Sequence, residues 1–282
     1  METMTRIAEI LQKQGLDTTS KISPKDYEQF KVDGLNNTVG DRDKEDGYNC
    51  PLCKNKGFIA KLTEHNGMYS HCFMDCKCVE VRNSVMRMKR SGLKDIIKDY
   101  TFEKFIDTEP WQKTLKSAAM EYAKNPDGWL FFGGQSGCGK THLCTATCRE
   151  FLLAGKSVQY MLWRDDIVPI KANVNEAEQY SKMIDRFKQA EVLYIDDLFK
   201  TGKMDDKHQK PTAADINVAF EILNYRYNNP SLITIISSEL SEDELLDIDE
   251  ATGGRIYERA KKAFSIAEDR KKNYRIKGAV TI

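Results

Sequence analysis

A glycine-rich segment that contains one lysine is the most informative part of this sequence. Residues 134–141 read GQSGCGKT and fit the full pattern G-x-x-x-x-G-K-[ST]. The apolar run WLFF at residues 129–132 precedes the segment, and a helix-like pattern follows it. A strand that ends in such a turn and opens a helix directs several backbone N–H groups into one concavity, where the helix dipole adds positive charge. The pattern therefore predicts a loop that binds phosphate groups.

The residues of this loop have separate predicted roles. Lys140 is expected to reach the β- and γ-phosphates of a nucleoside triphosphate, and the Thr141 hydroxyl is expected to bind Mg²⁺. The predicted nucleotide contacts are Gly134, Gln135, Ser136, Gly137, Cys138, Gly139, Lys140, Thr141 and His142. The other interpretation is a glycine-rich turn with an unrelated lysine, and the flanking strand pattern argues against it.

Two consecutive acids provide the second half of the predicted site. Asp196 and Asp197 follow the apolar run VLYI at residues 192–195. We expect Asp196 to lie across from Thr141 and to orient Mg²⁺, and Asp197 to polarise the water that attacks the γ-phosphate. Taken without the loop, the same pair of acids is equally typical of a capped turn.

Further candidates for catalysis follow the next strand pattern. Ser238 comes after the run at residues 232–237 and is a candidate to sense the γ-phosphate, although polar residues follow most strands. Arg255 and Arg259 share one face of a predicted helix. Either arginine is a candidate to stabilise the transferring phosphoryl group in a neighbouring subunit, and the alternative is a solvated basic face. Residues 255–277 contain nine Lys and Arg against three acids, so contact with nucleic-acid phosphates is a further interpretation.

A cysteine cluster precedes the nucleotide-binding motifs. Its members form a C-x-x-C and, after 22 intervening residues, a C-x-C: Cys50, Cys53, Cys76 and Cys78. Four thiolates at two tight turns suit a tetrahedral, structural Zn²⁺, and the segment between them is expected to form a hairpin. His71 and Cys72 are rivals for one ligand position. Free buried thiols and disulfides are the alternatives.

The composition of the whole chain excludes several classes of protein. The chain has 282 residues, a formal net charge of zero and 30% charged residues, so its overall charge indicates no particular partner. No apolar run approaches the roughly 18 residues of a membrane span, and we expect no membrane partner. The N-terminal sequence METMTRIAEILQKQG lacks the apolar block of a secretory signal. Because a nucleotide-binding loop implies a reducing compartment for the eight cysteines, we predict a cytoplasmic location.

Apolar runs alternate with helical patterns from about residue 100 onward, which favours a parallel sheet with crossover helices. The predicted strands cover residues 129–132, 157–162, 192–195, 232–237 and 263–266. The predicted helices cover residues 110–124, 141–154, 175–189, 212–228 and 241–261. We therefore predict an α/β fold with a five-stranded parallel sheet.

The other segments are assigned by composition and periodicity. They are a short helix at residues 1–15, a polar loop or linker at 16–47, a basic helix at 80–98 and an exposed loop at 200–210. Thr212 and Asp215 are predicted to form a capping box at the start of a helix.

Taken together, these motifs resemble the DnaC/DnaI-type replicative helicase loaders, in particular their phage and Firmicutes branch. The resemblance rests on segments that occur in order: CPLC and CKC, YTFEKF, GQSGCGKTHL, YIDDLFK, FEILNYRY, ISSE and GGRIYERAK. These segments extend from residue 48 to about residue 275. The phosphate-binding loop occurs in many families, whereas its combination with a preceding cysteine module is much more specific.

The resemblance implies a fold, cofactors and partners. It implies an AAA+ P-loop core without a C-terminal lid, and a small zinc-binding N-terminal domain that binds the hexameric helicase. We assign residues 1–95 to this helicase-interacting domain and residues 96–282 to the ATPase domain. ATP, Mg²⁺ and Zn²⁺ are the implied cofactors. Arg259 matches the arginine-finger position of the family best, with Arg255 next, which implies self-association through the AAA+ domains.

One position departs from the family, and one segment is only partly compatible with it. Such loaders often have Asn after the fourth strand, where this chain has Glu239, an acid that would repel the γ-phosphate. Ser237 or Ser238 is therefore expected to replace it as the sensor. Residues 164–189 fall where related initiators and loaders insert an extra helix that follows single-stranded DNA. Four of its basic residues are compatible with phosphate contact: Lys171, Lys182, Arg186 and Lys188. Five acids in the same segment weaken this interpretation: Asp165, Asp166, Glu176, Glu178 and Asp185.

We therefore predict an ATP-dependent loader that places a replicative hexameric helicase on single-stranded DNA during replication initiation. The main alternative is an IstB-type transposition helper ATPase that acts on duplex DNA, and the cysteine module argues against it. A P-loop kinase and a zinc-dependent scaffold that only binds ATP are further alternatives. Paired acids after a strand and arginines on a distal helix fit hydrolysis with subunit assembly better than either.

Overall fold

The computed structural model describes three stretches of the chain: residues 23–88, 96–200 and 210–276. The chain divides between Val79 and Glu80 into two compact units. The helix predicted over residues 1–15 and residues 201–209 of the predicted exposed loop lie outside the described residues.

The described part of the first unit begins with two helices that the sequence patterns did not indicate. Helix α1 spans Pro24–Asn37 and helix α2 spans Asp43–Asp46, both in the segment predicted as a loop. Ser23 caps α1, because its hydroxyl accepts the N–H of Asp26 at 3.1 Å. The loop prediction is therefore wrong for the described part of this segment.

Contacts with the rest of the first unit explain helix α1. Val32 is its buried apolar residue, so the helix has little apolar face to detect in the sequence. The Asn36 side-chain amide donates to the carbonyl of Ala60 and accepts its N–H, each at 2.9 Å. This pair of hydrogen bonds fixes α1 against the hairpin, and such tertiary contacts override weak helical propensity.

The hairpin predicted between the cysteine pairs is confirmed. Strands β1 (Phe58–His65) and β2 (Met68–Asp75) are antiparallel, and His65 pairs with Met68. Asn66 and Gly67 form the two-residue turn with φ values of 51° and 76°. An Asn-Gly turn with two positive φ values matches the twist of a hairpin. The turn therefore sets the register that leads β2 towards the second cysteine pair.

Helix α3 spans Cys78–Met88 and crosses the division between the units. In its second part, the Ser84 hydroxyl lies 3.0 Å from the Ser157 hydroxyl and accepts the N–H of Val158 at 3.1 Å. These contacts favour a domain boundary N-terminal to the one predicted after residue 95.

The predicted basic helix over residues 80–98 is observed in two described parts. The first is the C-terminal part of α3, and the second is the short helix α4, which spans Ile96–Asp99. Residues 89–95 lie outside the described residues.

The second unit contains the sheet and its helices. Its strands are β3 (Trp129–Gly134), β4 (Val158–Leu162), β5 (Val192–Asp196), β6 (Ile233–Ser237) and β7 (Lys262–Ile266). Its longer helices are α5 (Pro110–Lys124), α6 (Lys140–Leu153), α7 (Trp163–Ala172), α8 (Ala177–Lys188), α9 (Ala213–Tyr227), α10 (Glu242–Ile248) and α11 (Glu250–Arg259). A 3₁₀ turn at Arg270–Lys272 follows β7, and the described residues after β7 contain no helical lid.

The five strands form one parallel sheet in the order β4-β5-β6-β3-β7. The predicted five-stranded α/β fold is therefore confirmed. Every residue of β5 and β6 is buried, as expected for central strands of a parallel sheet with both faces covered. Because the strands are parallel, the carboxyl ends of β3, β5 and β6 meet at one edge of the sheet.

The observed helices differ from the predicted ones in two places. The helix predicted over residues 241–261 is two helices, because Asp249 is extended (φ −156°) and caps the second one by accepting the N–H of Thr252 at 2.8 Å. Helix α7 follows directly after β4 and was not among the predicted helices.

The capping box of Thr212 and Asp215 is confirmed. None of the described helices combines the length and apolar character that crossing a membrane requires.

Candidate nucleotide site and cysteine cluster

The glycine-rich loop connects β3 to α6 at the carboxyl edge of the sheet. Gly134, Gly137 and Gly139 have φ values of 85°, 72° and 98°, in the left-handed region that favours glycine. A Cβ atom at Gly137 would overlap the Asn273 side chain, and one at Gly139 would lie 2.7 Å from the Phe105 ring. The loop therefore holds its backbone in a turn that only glycine tolerates at these positions.

Lys140 is folded back over this loop. Its Nζ donates to the carbonyls of Gly134 at 2.7 Å and Gln135 at 2.8 Å, and the residue is 7% exposed. Because Lys140 is the first residue of α6, the ammonium and the first N–H groups of the helix lie at the same end. This donor set fits an anion such as a phosphate chain.

Thr141, in the first turn of α6, lies next to Asp196, the last residue of β5. The Thr141 hydroxyl is 3.2 Å from Asp196 Oδ1. Asp196 also accepts hydrogen bonds from the hydroxyls of Tyr194 at 2.7 Å, Tyr160 at 3.0 Å and Ser237. A buried carboxylate with this many hydroxyl donors is held in one orientation, as a ligand for a Mg²⁺ water shell must be.

Asp197 lies in a strained turn directly after β5. Asp197 and Phe199 have φ values of 56° and 63°, which cost non-glycine residues about 1–2 kcal/mol each. The Ser237 hydroxyl accepts the Asp197 N–H at 3.2 Å, and the Phe199 ring packs edge-on against Trp163. Burial, and then the charge of Asp196, raises the pKa of Asp197. The strained turn presents the Asp197 carboxylate to the same cleft as the loop.

Lys200 is a functional candidate that the sequence patterns did not single out. Its Nζ lies 2.9 Å from Asp197 Oδ2 and 3.0 Å from Glu239 Oε1. Burial alone would raise the pKa of Glu239, but hydrogen bonds from Lys200 and Ser136 outweigh it and lower the pKa below its usual value. Glu239 is therefore a charged member of the cleft, and Lys200 joins it to Asp197.

Aromatic residues also line this cleft. The His142 ring stacks on Tyr100, with ring centroids 4.5 Å apart and planes 4° apart, and its Nε2 is 2.8 Å from the carbonyl of Thr101. Phe105 contacts the other side of His142 edge-on. Burial lowers the pKa of His142, so its neutral form is favoured. The cleft, of about 280 Å³, is thus lined by both charged and aromatic residues, which suits a phosphorylated nucleotide.

Two predicted loop residues have structural contacts. The Gln135 side chain donates to the Ser136 carbonyl at 2.9 Å and accepts the N–H of Asp269 at 3.0 Å. Cys138 is fully buried, and burial raises the pKa of its thiol. Their backbone groups form the loop, while their side chains fix it to its surroundings.

Ser238 does not lie in the cleft, and its predicted role as a sensor is corrected. Its buried hydroxyl donates to the carbonyl of Leu198 at 2.8 Å and accepts the N–H of Leu240 at 3.1 Å. Alternation along the chain directs Ser237 towards Asp196 and the next side chain away from it. Ser237 is therefore the serine that contacts the acidic pair.

Arg255 and Arg259 lie on α11 and do not line the cleft of their own chain. The Arg255 guanidinium donates to Asn224 at 3.0 Å and lies over the Phe220 ring. Arg259 donates to the carbonyl of Tyr227 at 2.7 Å and lies over its ring. This placement is compatible with a role at a neighbouring subunit and incompatible with one at the cleft of the same chain.

The basic residues of α7 and α8 are paired with acids. Nζ or guanidinium atoms lie within salt-bridge distance of carboxylates in four pairs: Lys171–Asp215 at 2.6 Å, Lys182–Glu178 at 2.6 Å, Arg186–Asp166 at 2.8 Å and Lys188–Glu221 at 3.1 Å. Contact with single-stranded DNA through these helices would require exchange of these partners.

The four predicted metal ligands come together in the first unit. Cys50, Cys53, Cys76 and Cys78 are buried, and their sulfur atoms lie within 4.8 Å of one another. The Sγ atoms of Cys50 and Cys76 are 3.8 Å apart and those of Cys53 and Cys78 are 3.5 Å apart. Tetrahedral Zn²⁺ with bonds of about 2.3 Å places its ligands about 3.8 Å apart, so the cluster fits this ion.

The environment of the cluster favours a thiolate at Cys53, whereas burial raises the pKa of Cys76. The two rival ligands lie elsewhere. Burial alone would raise the pKa of Cys53, but the N–H of Gly57 and the neighbouring thiols lower it to about 7. Cys72 is not a member of the cluster formed by the described residues. The Nδ1 atom of His71 instead lies 3.1 Å from Oε2 of Glu28.

The fold and the glycine-rich loop define an AAA+ P-loop ATPase. Residues 74–277, well over half of the chain, match the family described as IstB-like ATP binding protein. The chain therefore belongs to the IstB/DnaC-like AAA+ family.

Curated relatives and one solved structure agree with this assignment. The uncharacterized protein YqaM of Bacillus subtilis is 36% identical over 211 residues, or 70% of this chain and 63% of YqaM. The phage-like element PBSX protein XkdC of the same organism is 33% identical over 227 residues, or 75% of this chain and 79% of XkdC. The replicative helicase loader DnaC of Escherichia coli is 29% identical over 128 residues, or 43% of this chain and 52% of DnaC. The crystal structure of the DnaC helicase loader matches with a TM-score of 0.50 and 20% identity, covering 61% of this chain and 98% of that chain, which shows a shared fold.

Sequence reasoning missed the hydroxyl groups around Asp196, although a signal for one was present. Tyr194 is two residues before Asp196 on a strand, so both side chains lie on one face. Tyr160 pairs with Tyr194 across β4 and β5, which depends on strand register. Lys200 carries no such signal, because its position depends on the strained turn.

Proposed function

We propose that this chain is an ATP-dependent loader that binds a replicative hexameric helicase and places it on single-stranded DNA. The observation that carries the proposal is the pairing of an AAA+ nucleotide site with a separate unit that contains four clustered cysteines. Similarity to the replicative helicase loader DnaC of Escherichia coli supports it for part of the chain. Residues 1–95 would bind the helicase and residues 96–282 would bind ATP.

The residues of the cleft fit ATP with Mg²⁺, and we propose their roles accordingly. Lys140 exchanges its two carbonyl partners for the β- and γ-phosphates. Thr141 and Asp196 hold the Mg²⁺, which neutralises charge on the phosphates. Asp197 orients and polarises the attacking water. The aromatic residues around His142, which are Tyr100 and Phe105, accommodate the base. Hydrolysis of ATP supplies the free energy for release of the loader.

We propose that an arginine of a neighbouring copy completes the site. Arg259 is the leading candidate and Arg255 the second, because both lie on one helix outside the cleft of their own chain. Such a residue stabilises charge on the transferring phosphoryl group only in the assembled state. Hydrolysis is therefore expected to require self-association.

We propose that Zn²⁺ bound by Cys50, Cys53, Cys76 and Cys78 stabilises the helicase-binding unit. Four protein ligands leave no open position, so the role of the metal is structural. A small unit with few buried apolar residues gains much of its folding free energy from such an ion.

Capture by the replicative helicase of the host cell tests the proposed function. The full-length chain, a variant without residues 1–79 and Lys140→Ala are compared, each with and without ATP. We expect the full-length chain to bind helicase and the truncated chain to lose helicase while it keeps ATP binding. Strong binding to duplex DNA with no capture of helicase would instead favour the transposition-helper alternative, which the name of the matched family keeps open.

A further inference from the structure

We propose that Lys200 is a second cation, besides Lys140, that contacts the γ-phosphate in this cleft, and that Glu239 positions it there. This inference rests on the proposed roles of Lys140, Thr141 and Asp197. Lys200 and Glu239 together would take the place of the single neutral sensor residue that resembling loaders carry after the fourth strand.

The position of Lys200 is the first argument. Its ammonium bridges Asp197 at 2.9 Å and Glu239 at 3.0 Å, and all three residues line the cleft that contains Lys140 and Thr141. Two cations, one on each side, therefore face the same space. Lys140 lies on the loop side, and Lys200 lies on the side of the acid expected to activate water.

The turn that carries Lys200 is fixed at several points. The Leu198 N–H donates to the carbonyl of Ser237 at 2.9 Å, and the Leu198 carbonyl accepts the Ser238 hydroxyl at 2.8 Å. The Lys200 N–H donates to the carbonyl of Asp197 at 2.9 Å. Strained turns that neighbouring contacts hold in place are concentrated at functional sites. The turn thus directs the start of the lysine side chain towards the cleft.

Charge balance is the second argument. Without Lys200, the carboxylates of Asp197 and Glu239 would present two negative charges beside the phosphate chain. Burial alone would lower the pKa of Lys200, but its two carboxylate partners outweigh this and raise it, so the lysine is charged. An ammonium has three N–H donors, enough to keep Glu239 as a partner and to exchange Asp197 for a phosphate oxygen.

This exchange links recognition of the nucleotide to activation of water. When Lys200 donates to a γ-phosphate, the carboxylate of Asp197 loses its cation and becomes free to accept a hydrogen bond from water. A diphosphate offers no γ-phosphate, so Lys200 stays on Asp197. The expected signature is a preference for triphosphate over diphosphate that depends on Lys200.

Binding of ADP and of a non-hydrolysable ATP analogue to the full-length chain, both with Mg²⁺, tests the proposal. For Lys200→Met we expect affinity for the analogue to fall about ten-fold or more, the effect of one charged hydrogen bond, with a much smaller change for ADP. Lys200→Arg should keep part of the preference. Adding Glu239→Gln to Lys200→Met should recover analogue affinity in part, because one uncompensated negative charge is removed.

Lys104→Met is the matched control. Lys104 lines the same cleft, but its Nζ pairs with Asp99 at 2.6 Å, away from the acidic pair. Its loss should change the affinities for both nucleotides by the same factor. Two results would overturn the proposal: an unchanged preference for triphosphate in a folded Lys200→Met protein, or a loss of that preference in Lys104→Met as large as in Lys200→Met. If Lys140→Ala still binds both nucleotides normally, the assignment of the site itself fails, which is a separate outcome.

Discussion

The hydroxyl of Thr141 lies 3.2 Å from Oδ1 of Asp196, although the strands that lead to these residues, β3 and β5, are separated by β6 in the sheet. The contact arises because parallel strands end at a common edge and α6 begins there. This side-chain contact connects the glycine-rich loop directly to the acidic pair. The consequences of altering either half can therefore be predicted separately.

Asp196→Asn should abolish the effect of Mg²⁺ on nucleotide binding. The amide cannot replace a carboxylate beside the Thr141 hydroxyl, so we expect hydrolysis to fall at least a hundred-fold, about 3 kcal/mol of transition-state stabilisation. Calorimetric binding of ATP analogue with and without Mg²⁺ measures the effect. Tyr160→Phe removes one 3.0 Å hydroxyl contact to the same carboxylate and should have a much smaller effect. Equal losses in both variants would contradict a metal-binding role for Asp196.

The pH dependence of hydrolysis should report Asp197. Its pKa is raised by burial and by Asp196, and Glu239 adds a further negative charge, while Lys200 opposes them. Hydrolysis should decline as the pH falls through this raised pKa, because a protonated acid no longer accepts a proton from water. Glu239→Gln removes a negative charge, so the decline should move to lower pH.

This decline at low pH is the acidic limb of the pH profile. The pH at which it occurs is measured from initial rates over a series of pH values. Glu121→Gln is the control. Glu121 lies on α5, and its carboxylate is 2.8 Å from Nζ of Lys262, so this substitution should leave the limb in place. A shift to higher pH in Glu239→Gln would refute the assignment of the limb to Asp197.

The metal prediction has a control within the same hairpin. We expect one Zn²⁺ per chain, and Cys53→Ser should lose it and lower the melting temperature of the first unit. Cys72→Ser removes a half-exposed thiol outside the cluster and should keep both the metal and the stability. Elemental analysis and thermal unfolding, with and without a chelator, distinguish these cases. A metal-free preparation with unchanged unfolding would show that the cysteines pack without an ion.

The five strands of the sheet and the contact between Thr141 and Asp196 could be predicted because loop, strand and acid patterns are local in the sequence, whereas the order of the strands was not predicted. Helix α1 could not, since it depends on a hydrogen-bonded pair between Asn36 and Ala60 on a distant strand. The break at Asp249 was predictable in principle as an N-cap signal. The roles of Ser237 and Lys200 depend on the direction in which a turn points each side chain. No periodicity in the sequence indicates that direction.

The buried residue Arg226 should be essential for the stability of the fold, and it does not line the nucleotide cleft. Arg226 is fully buried and donates to four carbonyls: Phe187, Lys188, Ala190 and Ile233. Burial lowers its pKa to about 9, and its hydrogen bonds connect α9 to the end of α8 and to the start of β6. Arg226→Met leaves these carbonyls without a donor, so we expect a loss of about 3–5 kcal/mol in the free energy of unfolding. Urea unfolding measures it, with Arg270→Met as a surface control, and a loss below 1 kcal/mol would contradict the prediction.

The arginine-finger prediction requires two defective chains to restore each other. Arg259→Ala should bind ATP normally, because the residue is absent from the cleft of its own chain, yet should not hydrolyse it. Lys140→Ala should fail at binding but still present an intact Arg259. In a mixture, the Lys140 chain supplies the arginine to the nucleotide held by its neighbour, so phosphate release should recover in part. Arg255→Ala in the same assay decides between the two arginines. Full hydrolysis by Arg259→Ala and Arg255→Ala alone would show that neither completes a neighbouring site.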